Sequence, residues 1–576
     1  MSTVRPDTAP PPHAALTTVR RLILFLLLFS LVLIGTSGLS GLLGRLLSSG
    51  TSLAERDVGG LARSLAFALV GGTLAAILWW LVWRRLRESG ERAALSWGLY
   101  VSGVYVVALI TFTTALLGLA SSAIGGDSPQ WYSGAAAGLV WALVWAWHRW
   151  MWLHPAKGPS RLAGVPLVVG SVFGLLIGAG GAATALGNLF DAGLQGIAGT
   201  PSLGNPWWVP VLQSLVWAAG GAVLWWWHWI RGRGLHLTTG LANVALAVAG
   251  VLGGCILALS GAVAALFVLL RLGFDRSSPL PQLLEPLGPA VAAAAVGCAV
   301  WRYHAALAGR RSGAMRQASR LLAAGAALVA AASGIGVVVN AALGLAETTL
   351  AGTGTRTLLL GGITALAVGG PVWWQVWGLL HQRGPQRSGQ RGQRIYLVVV
   401  FGLSAVVALI ALLVVGYQAF EHLLDASGRG SLLGRVRAPL GLLTATGLVA
   451  AYHYGVWRRE RTAPAQPEPV PPSGAPGEPD LRRGIGEVIL VADSDPVPLC
   501  RAIREASGAD VTVWERADGG AAVPGTGTAP DPGDLVRALN GVSCERVLVV
   551  IGRDGRIDVI PLADGAASLG RPLSDQ

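Results

Sequence analysis

The sequence predicts an all-α polytopic membrane protein carrying a small cytoplasmic α/β domain at its C-terminal end. Three observations predict it. Only 13% of the 576 residues are charged, while 53% are hydrophobic and the mean hydropathy is +0.56. A soluble globular chain carries roughly 25% charged residues, so this one has too little polar surface to face water on all sides. Long apolar runs recur along most of the chain, each near the roughly 20 residues that a helical crossing needs. Past residue 460 the composition changes to a Pro-rich stretch and then to short Val/Ile/Leu runs separated by turn residues.

Twelve spans are expected, near 20–46, 61–84, 93–122, 133–153, 161–190, 208–230, 238–271, 286–307, 317–346, 356–381, 395–423 and 433–457. The first follows Arg20 and Arg21. Its apolar run is too long for a signal peptide and lacks a small-x-small cleavage pattern, so it reads as an uncleaved anchor. The net charge of +13 rests almost wholly on arginine, Lys157 being the single lysine. A basic soluble protein would suggest nucleic acid. Here the basic residues gather on alternate loops instead, as around Arg84–Arg92, Arg231–Arg233, Arg302–Arg320 and Arg458–Arg461. That is the positive-inside pattern. It places both termini in the cytoplasm, as an even number of spans also does, and no nucleic-acid partner is expected. The bias toward Arg, Ala and Gly suggests a GC-rich bacterial genome, hence a bacterial cell membrane.

The spans read as six pairs. The odd helices begin roughly 70–80 residues apart. Each pair goes out through a Gly/Ala/Leu/Val helix and returns through one with an aromatic, basic end: Trp79-Trp80-Leu81-Val82-Trp83-Arg84, Trp145-Ala146-Trp147-His148-Arg149, Trp225-Trp226-Trp227-His228-Trp229, Trp301-Arg302-Tyr303-His304, Trp373-Trp374-Gln375-Val376-Trp377 and Tyr452-His453-Tyr454. Aligned by eye, Trp83, His148, His228, His304, Trp377 and His453 fall at one position. A two-helix unit returns the chain to its starting side, so the copies must be parallel and not inverted.

Paired hydrophobic helices with Trp/His-rich, Arg-flanked ends, followed by a small soluble tail, resemble bacterial membrane proteins of the family of unknown function numbered 5671. The resemblance would cover about residues 15–460. It implies architecture, with no activity and no functional residues to transfer.

The domain boundaries follow from composition. Residues 1–19 read as a disordered tail, 20–459 as the helical body, 460–484 as a Pro-rich linker, 485–565 as the α/β domain and 566–576 as a C-terminal tail. Within the domain the order is βαβαββ, with Asp554-Gly555 as a hairpin turn between the last two strands. Asp493 and Asp495 follow the first strand as acids do in phosphoacceptor domains. No lysine follows, however, and Asp493–Pro496 reads as helix-cap chemistry.

The candidate chemistry is sparse. His148, His228, His304 and His453 recur at one depth and are weak candidates for a haem, metal or proton-sensing ring. The alternative is an amphipathic belt with Trp83, Trp145, Trp225, Trp301, Trp377 and Tyr452, since ligands do not alternate with Trp. No cofactor is expected. A charge at mid-membrane costs roughly 2.5–3.5 kcal/mol and would mark function, but Arg45, Arg63, Asp191, Arg271, Glu285 and Glu347 all fall near outer helix ends. Asn188, Gln213, Asn243 and Asn340 are expected to bond between helices. Cys255, Cys298, Cys500 and Cys544 show no disulfide or zinc spacing. No catalytic motif stands out, so the expectation is a non-enzymatic membrane scaffold or sensor. Its partners would be the bilayer and a cytoplasmic protein bound through the tail. A transporter or channel is the first alternative and a haem protein the second. Oligomeric state is not legible.

Overall fold

The computed structural model describes residues 12–49, 57–86, 92–126, 131–198, 205–274, 278–347, 353–381, 390–424, 431–462, 485–491, 497–514, 531–539, 542, 546–552 and 556–562. The chain divides into two units, 1–463 and 464–576.

Among the described residues the regular structure of the first unit is helical, its long helices being α1 (Pro12–Ser48), α2 (Val58–Arg85), α3 (Leu95–Gly125), α4 (Trp131–Leu153), α5 (Val165–Ala198), α6 (Trp208–Arg231), α7 (Gly240–Phe274), α8 (Leu287–Arg311), α9 (Gly313–Glu347), α10 (Thr353–His381), α11 (Gln390–Leu424) and α12 (Leu432–Thr462). Among the described residues, eleven helices are long and apolar enough to cross a membrane. α4 falls outside that set although its 23 residues are sufficient length. Its Trp141, Trp145, Trp147, Trp150 and Trp152 prefer a headgroup level to hydrocarbon and lower its apolarity. Large aliphatic side chains cover the outside, among them Leu403 at 65%, Leu413 at 64% and Val329 at 67% exposure. A soluble monomer does not present such a surface to water, so this is an integral membrane protein.

Consecutive helices pack as hairpins: α3 on α4, α5 on α6, α7 on α8, α9 on α10 and α11 on α12. The contacts are made by small residues, as expected where lipid supplies no hydrophobic force between helices. A methyl group added to Gly221 would collide with the Gly178 backbone, and one on Gly297 with Ala258. Three helices contain a π-turn, at Phe67–Gly71, Trp226–Arg231 and Leu246–Leu252. Such turns rotate the residues that follow relative to an unbroken helix.

Helix ends are tied down by specific groups. Asp57 caps α2 by accepting from the Gly60 N–H at 2.8 Å, and it pairs with Arg45 of α1 at 2.8 Å. The Gly60 N–H, and then Arg45, hold its carboxyl below the usual carboxylate range. Lys157 donates to the Trp83 carbonyl at 3.1 Å, with its ammonium 4.1 Å from the centre of the Trp83 ring. The single lysine of the chain thus closes the C-terminal end of α2, where free carbonyls attract a cation.

The second unit contains β1 (Glu487–Val491), α13 (Val497–Ser507), β2 (Asp510–Trp514), α14 (Pro532–Leu539), β3 (Arg546–Ile551) and β4 (Ile557–Leu562). The sheet order is β2-β1-β3-β4. β1 is parallel to both of its neighbours, and β4 is antiparallel to β3. Leu499 and Ile503 of α13, and Leu535 and Leu539 of α14, share one core with Val488, Leu490, Val547 and Val549. Ile503 is fully buried. Ile503→Ala is expected to cost this unit about 2–5 kcal/mol, read as an earlier urea midpoint for protease cleavage within the tail of the full chain. An unchanged midpoint would contradict the core assignment. Asp493, Asp495, Asp554 and the linker at 464–484 lie outside the described residues.

Candidate functional site

The four histidines are built alike. Each lies on the second helix of a hairpin, and its Nδ1 stands 2.8 Å from the carbonyl four residues earlier: Val144 for His148, Leu224 for His228, Val300 for His304 and Val449 for His453. A carbonyl can only accept, so Nδ1 carries the proton, and in the neutral ring Nε2 is an acceptor. All four are buried, with at most 4% exposure.

What reaches Nε2 differs. His148 meets the Tyr100 hydroxyl of its own hairpin at 3.1 Å. His228 meets Tyr105 at 2.8 Å, a residue of α3 in the preceding hairpin. Tyr100 and Tyr105 therefore lock two histidines from one helix. His304 faces Gly250, where any Cβ would strike its ring, and lines a small cavity with Ser171 and Trp229 that has room for about one water molecule. His453 lies beside Tyr396, ring centres 6.0 Å apart, yet His453 Nε2 and the Tyr396 hydroxyl are both buried without a partner. The histidines thus stand each in its own hairpin and do not converge. No group of three or more metal-binding side chains occurs among the described residues. A haem or metal would have to displace Tyr100 or Tyr105 to reach His148 or His228.

The close approaches between helices also fix the register, and they revise the alignment by eye. In α5 and α6, Gly170 faces His228, Gly174 faces Trp225, Gly178 faces Gly221 and Gly181 faces Ala218. In α7 and α8, Gly250 faces His304, Gly254 faces Trp301, Ala258 faces Gly297 and Gly261 faces Ala294. In α9 and α10, Ala331 faces Gly369 and Gly334 faces Leu366. Continued at the same spacing, this series brings Val376 and not Trp377 to the histidine position, against Ala323 in a shared core cluster. Adjacent Trp373 and Trp374 made the register ambiguous by one residue, and Trp373 is the one in step. Where His becomes Val, the facing Gly becomes Ala, which conserves the packed volume.

Trp377 instead matches Trp229. Stacked pairs four residues apart recur as Trp79–Trp83, Trp225–Trp229 and Trp373–Trp377. In each, the first ring meets edge-on the residue preceding a histidine of the next hairpin: Trp147, Tyr303 and Tyr452. Trp229 Nε1 donates to the Tyr303 hydroxyl at 3.1 Å, and Trp377 Nε1 to that of Tyr452 at 2.9 Å. These contacts join the second helices of neighbouring hairpins.

The expected aromatic belt needs correction accordingly. Trp377 is 4% exposed and sits inside the protein. Trp83, Trp145, Trp225 and Trp301 are half-buried, and only Tyr452 of that set is exposed. Rings that face outward include Trp80, Trp147, Trp150, Trp226 and Trp374. Among Trp373, Trp374 and Trp377 it is the facing helices that turn Trp377 inward and Trp374 outward. The sequence reading also missed Tyr100, Tyr105 and Tyr396. Their signal is a tyrosine within about the first three turns of the first helix of a pair.

Of the deeper polar residues, Asn188 of α5 donates to the Pro210 carbonyl and Ser214 of α6. Gln213 of α6 donates to the Ser121 carbonyl of α3. Asn243 of α7 accepts from Arg311 of α8 at 2.8 Å. These make the helix-to-helix bonds expected of them. Asn340 does not follow, since its side-chain oxygen is buried without a partner. Cys255, Cys298 and Cys500 are free thiols, and Cys544 lies outside the described residues.

With this geometry in hand, comparison with known proteins adds one result. Residues 317–448 match the family described as Domain of unknown function (DUF5671). The matched segment runs through α9, α10, α11 and most of α12, a shorter stretch than the resemblance implied. No curated protein matches the chain, and no solved structure does.

Proposed function

We propose that this protein is a non-enzymatic membrane scaffold or sensor of the bacterial cell membrane, built from six parallel helix pairs. Its twelve crossings would leave both termini in the cytoplasm and present the α/β unit to a cytoplasmic protein partner. The observation that carries the reading is the fate of the interior polar groups. From α3 to α8 several are spent on one another, Tyr100 on His148, Tyr105 on His228, Gln213 on Ser121 and Asn243 on Arg311, although the buried Ser102 and Thr113 hydroxyls of α3 have no partner. A path for a polar solute needs such groups turned toward water. Here they lock helix to helix, as a rigid body requires.

Cysteine accessibility scanning along α4, α6, α8 and α10 tests it. Uniform protection through the middle of each helix is expected. A continuous water-reactive stripe reaching mid-membrane would establish a pathway instead. Reporter fusions after residue 60 are expected to read outside, and after 90 or 470 inside.

A further inference from the structure

Several basic side chains near helix ends are spent within the protein. Arg84 lies over the Trp80 ring at 3.7 Å, Lys157 holds the Trp83 carbonyl, and Arg92 donates to the Gly158 carbonyl at 2.8 Å. Arg311 is shared between Asn243 and the Leu235 carbonyl. Arg20 of α1 and Arg85 of α2 are different. Both are exposed, and neither makes a hydrogen bond, an ion pair or a ring contact among the described residues.

The two meet at one pocket. It lies between α1 and α2, has a volume of about 90 Å³, and is lined by three arginines, Arg20, Arg21 and Arg85. The rest of its lining is apolar and includes Phe25, Val82 and Leu86, each at most 4% exposed, and no Asp or Glu lines it. Arg20 and Arg21 precede the apolar run of α1, and Arg85 ends α2. The hairpin turn therefore brings the three cations to one level, beside the exposed Trp80. An outward-facing Trp marks the headgroup depth of a bilayer.

Three guanidinium groups around one cavity repel one another, and an anion between them removes that repulsion. Each guanidinium presents a planar fork of donors that matches two oxygens of a phosphate. One water molecule needs roughly 10–15 Å³ of cavity. The pocket therefore admits a group of several heavy atoms, the scale of a phosphoryl group, and has no room for an acyl chain.

We propose that Arg20, Arg21 and Arg85 form a site for a phosphoryl anion, either the headgroup phosphate of a membrane lipid or free inorganic phosphate. Arg20 and Arg85 donate to its oxygens from the two helices, over an apolar base made by Phe25, Val82 and Leu86. The site goes beyond the scaffold-or-sensor reading by giving the helical body a class of ligand. It rests on that reading only for the side of the membrane from which the anion arrives. Binding is measured on purified chain, which has no sides, so its failure would leave the topology to the reporter fusions.

Two measurements on the full chain, purified in nonionic detergent and stripped of lipid, test the site. Native mass spectrometry reads the adducts retained from mixed micelles of phosphatidylglycerol or of phosphatidylcholine. Isothermal titration with inorganic phosphate in chloride buffer reads the free anion. A one-to-one phosphatidylglycerol adduct in clear excess over phosphatidylcholine assigns the site to a lipid headgroup. Saturable one-to-one phosphate binding without that excess assigns it to the free anion. In either case Arg20→Gln and Arg85→Gln should each weaken binding about fivefold, the effect of one cation near a phosphate. Arg84→Gln, next to Arg85 in sequence but placed over Trp80, should leave binding unchanged. If one of the two pocket variants folds poorly, the other still decides against Arg84→Gln. Binding of neither probe, or a loss in Arg84→Gln equal to that in Arg85→Gln, would overturn the proposal, the latter because net positive charge alone would then explain the binding.

Discussion

Tyr100→Phe is expected to destabilise the helical body by about 1–3 kcal/mol, while Tyr396→Phe in the same detergent without added lipid costs almost nothing. The two substitutions delete the same atom from the same kind of residue on the first helix of a hairpin. Tyr100 donates to His148 Nε2, and His148 is already committed through Nδ1 to the Val144 carbonyl. Removing the hydroxyl leaves a buried acceptor with nothing to bond, which carries the full desolvation penalty. Tyr396 has no partner to lose. Tyr105→Phe should resemble Tyr100→Phe, and it tests a link between two hairpins rather than within one, since Tyr105 reaches across to His228. Thermal or SDS-induced unfolding of the purified chain reads all three. Equal costs for Tyr100→Phe and Tyr396→Phe would show that the histidine bonds contribute nothing.

Two adjacent glycines supply the second large effect, with opposite signs. Gly181→Ala is expected to destabilise by about 1–3 kcal/mol, because its Cβ would land on the backbone of Ala218, which can move only by separating α5 from α6. Gly180→Ala has nothing within 4 Å of its Cβ. It should stabilise by up to about 1 kcal/mol, the ordinary advantage of Ala over Gly in a helix. Both variants keep the chain apolar and alter one methyl group, so a difference between their melting temperatures isolates packing from propensity. Gly181→Ala melting at or above the wild-type temperature would mean that α5 and α6 are not pressed together at this level.

These effects also show where sequence reasoning stops. The apolar runs, the charge bias of the loops and the turn to a Pro-rich stretch near 460 are local properties. They determined by themselves a helical membrane body followed by a small β-containing unit, because a bilayer leaves the backbone no choice but to satisfy its own hydrogen bonds. The recurring aromatic ends were equally legible. Which aromatic faces lipid and which is buried was not. Trp373, Trp374 and Trp377 are chemically alike, and a helix face is chosen only when a neighbour occupies it. Tertiary structure put Trp374 outside, Trp377 inside against Tyr452, and Val376 at the position the histidines hold elsewhere. It likewise decided that Tyr105 serves a histidine 123 residues away, and that Tyr396 serves none. The physical reason is the same in each case. Burial in lipid is a property of one helix and can be read from its residues, whereas a hydrogen bond or a close approach belongs to two helices and exists only once both are in place.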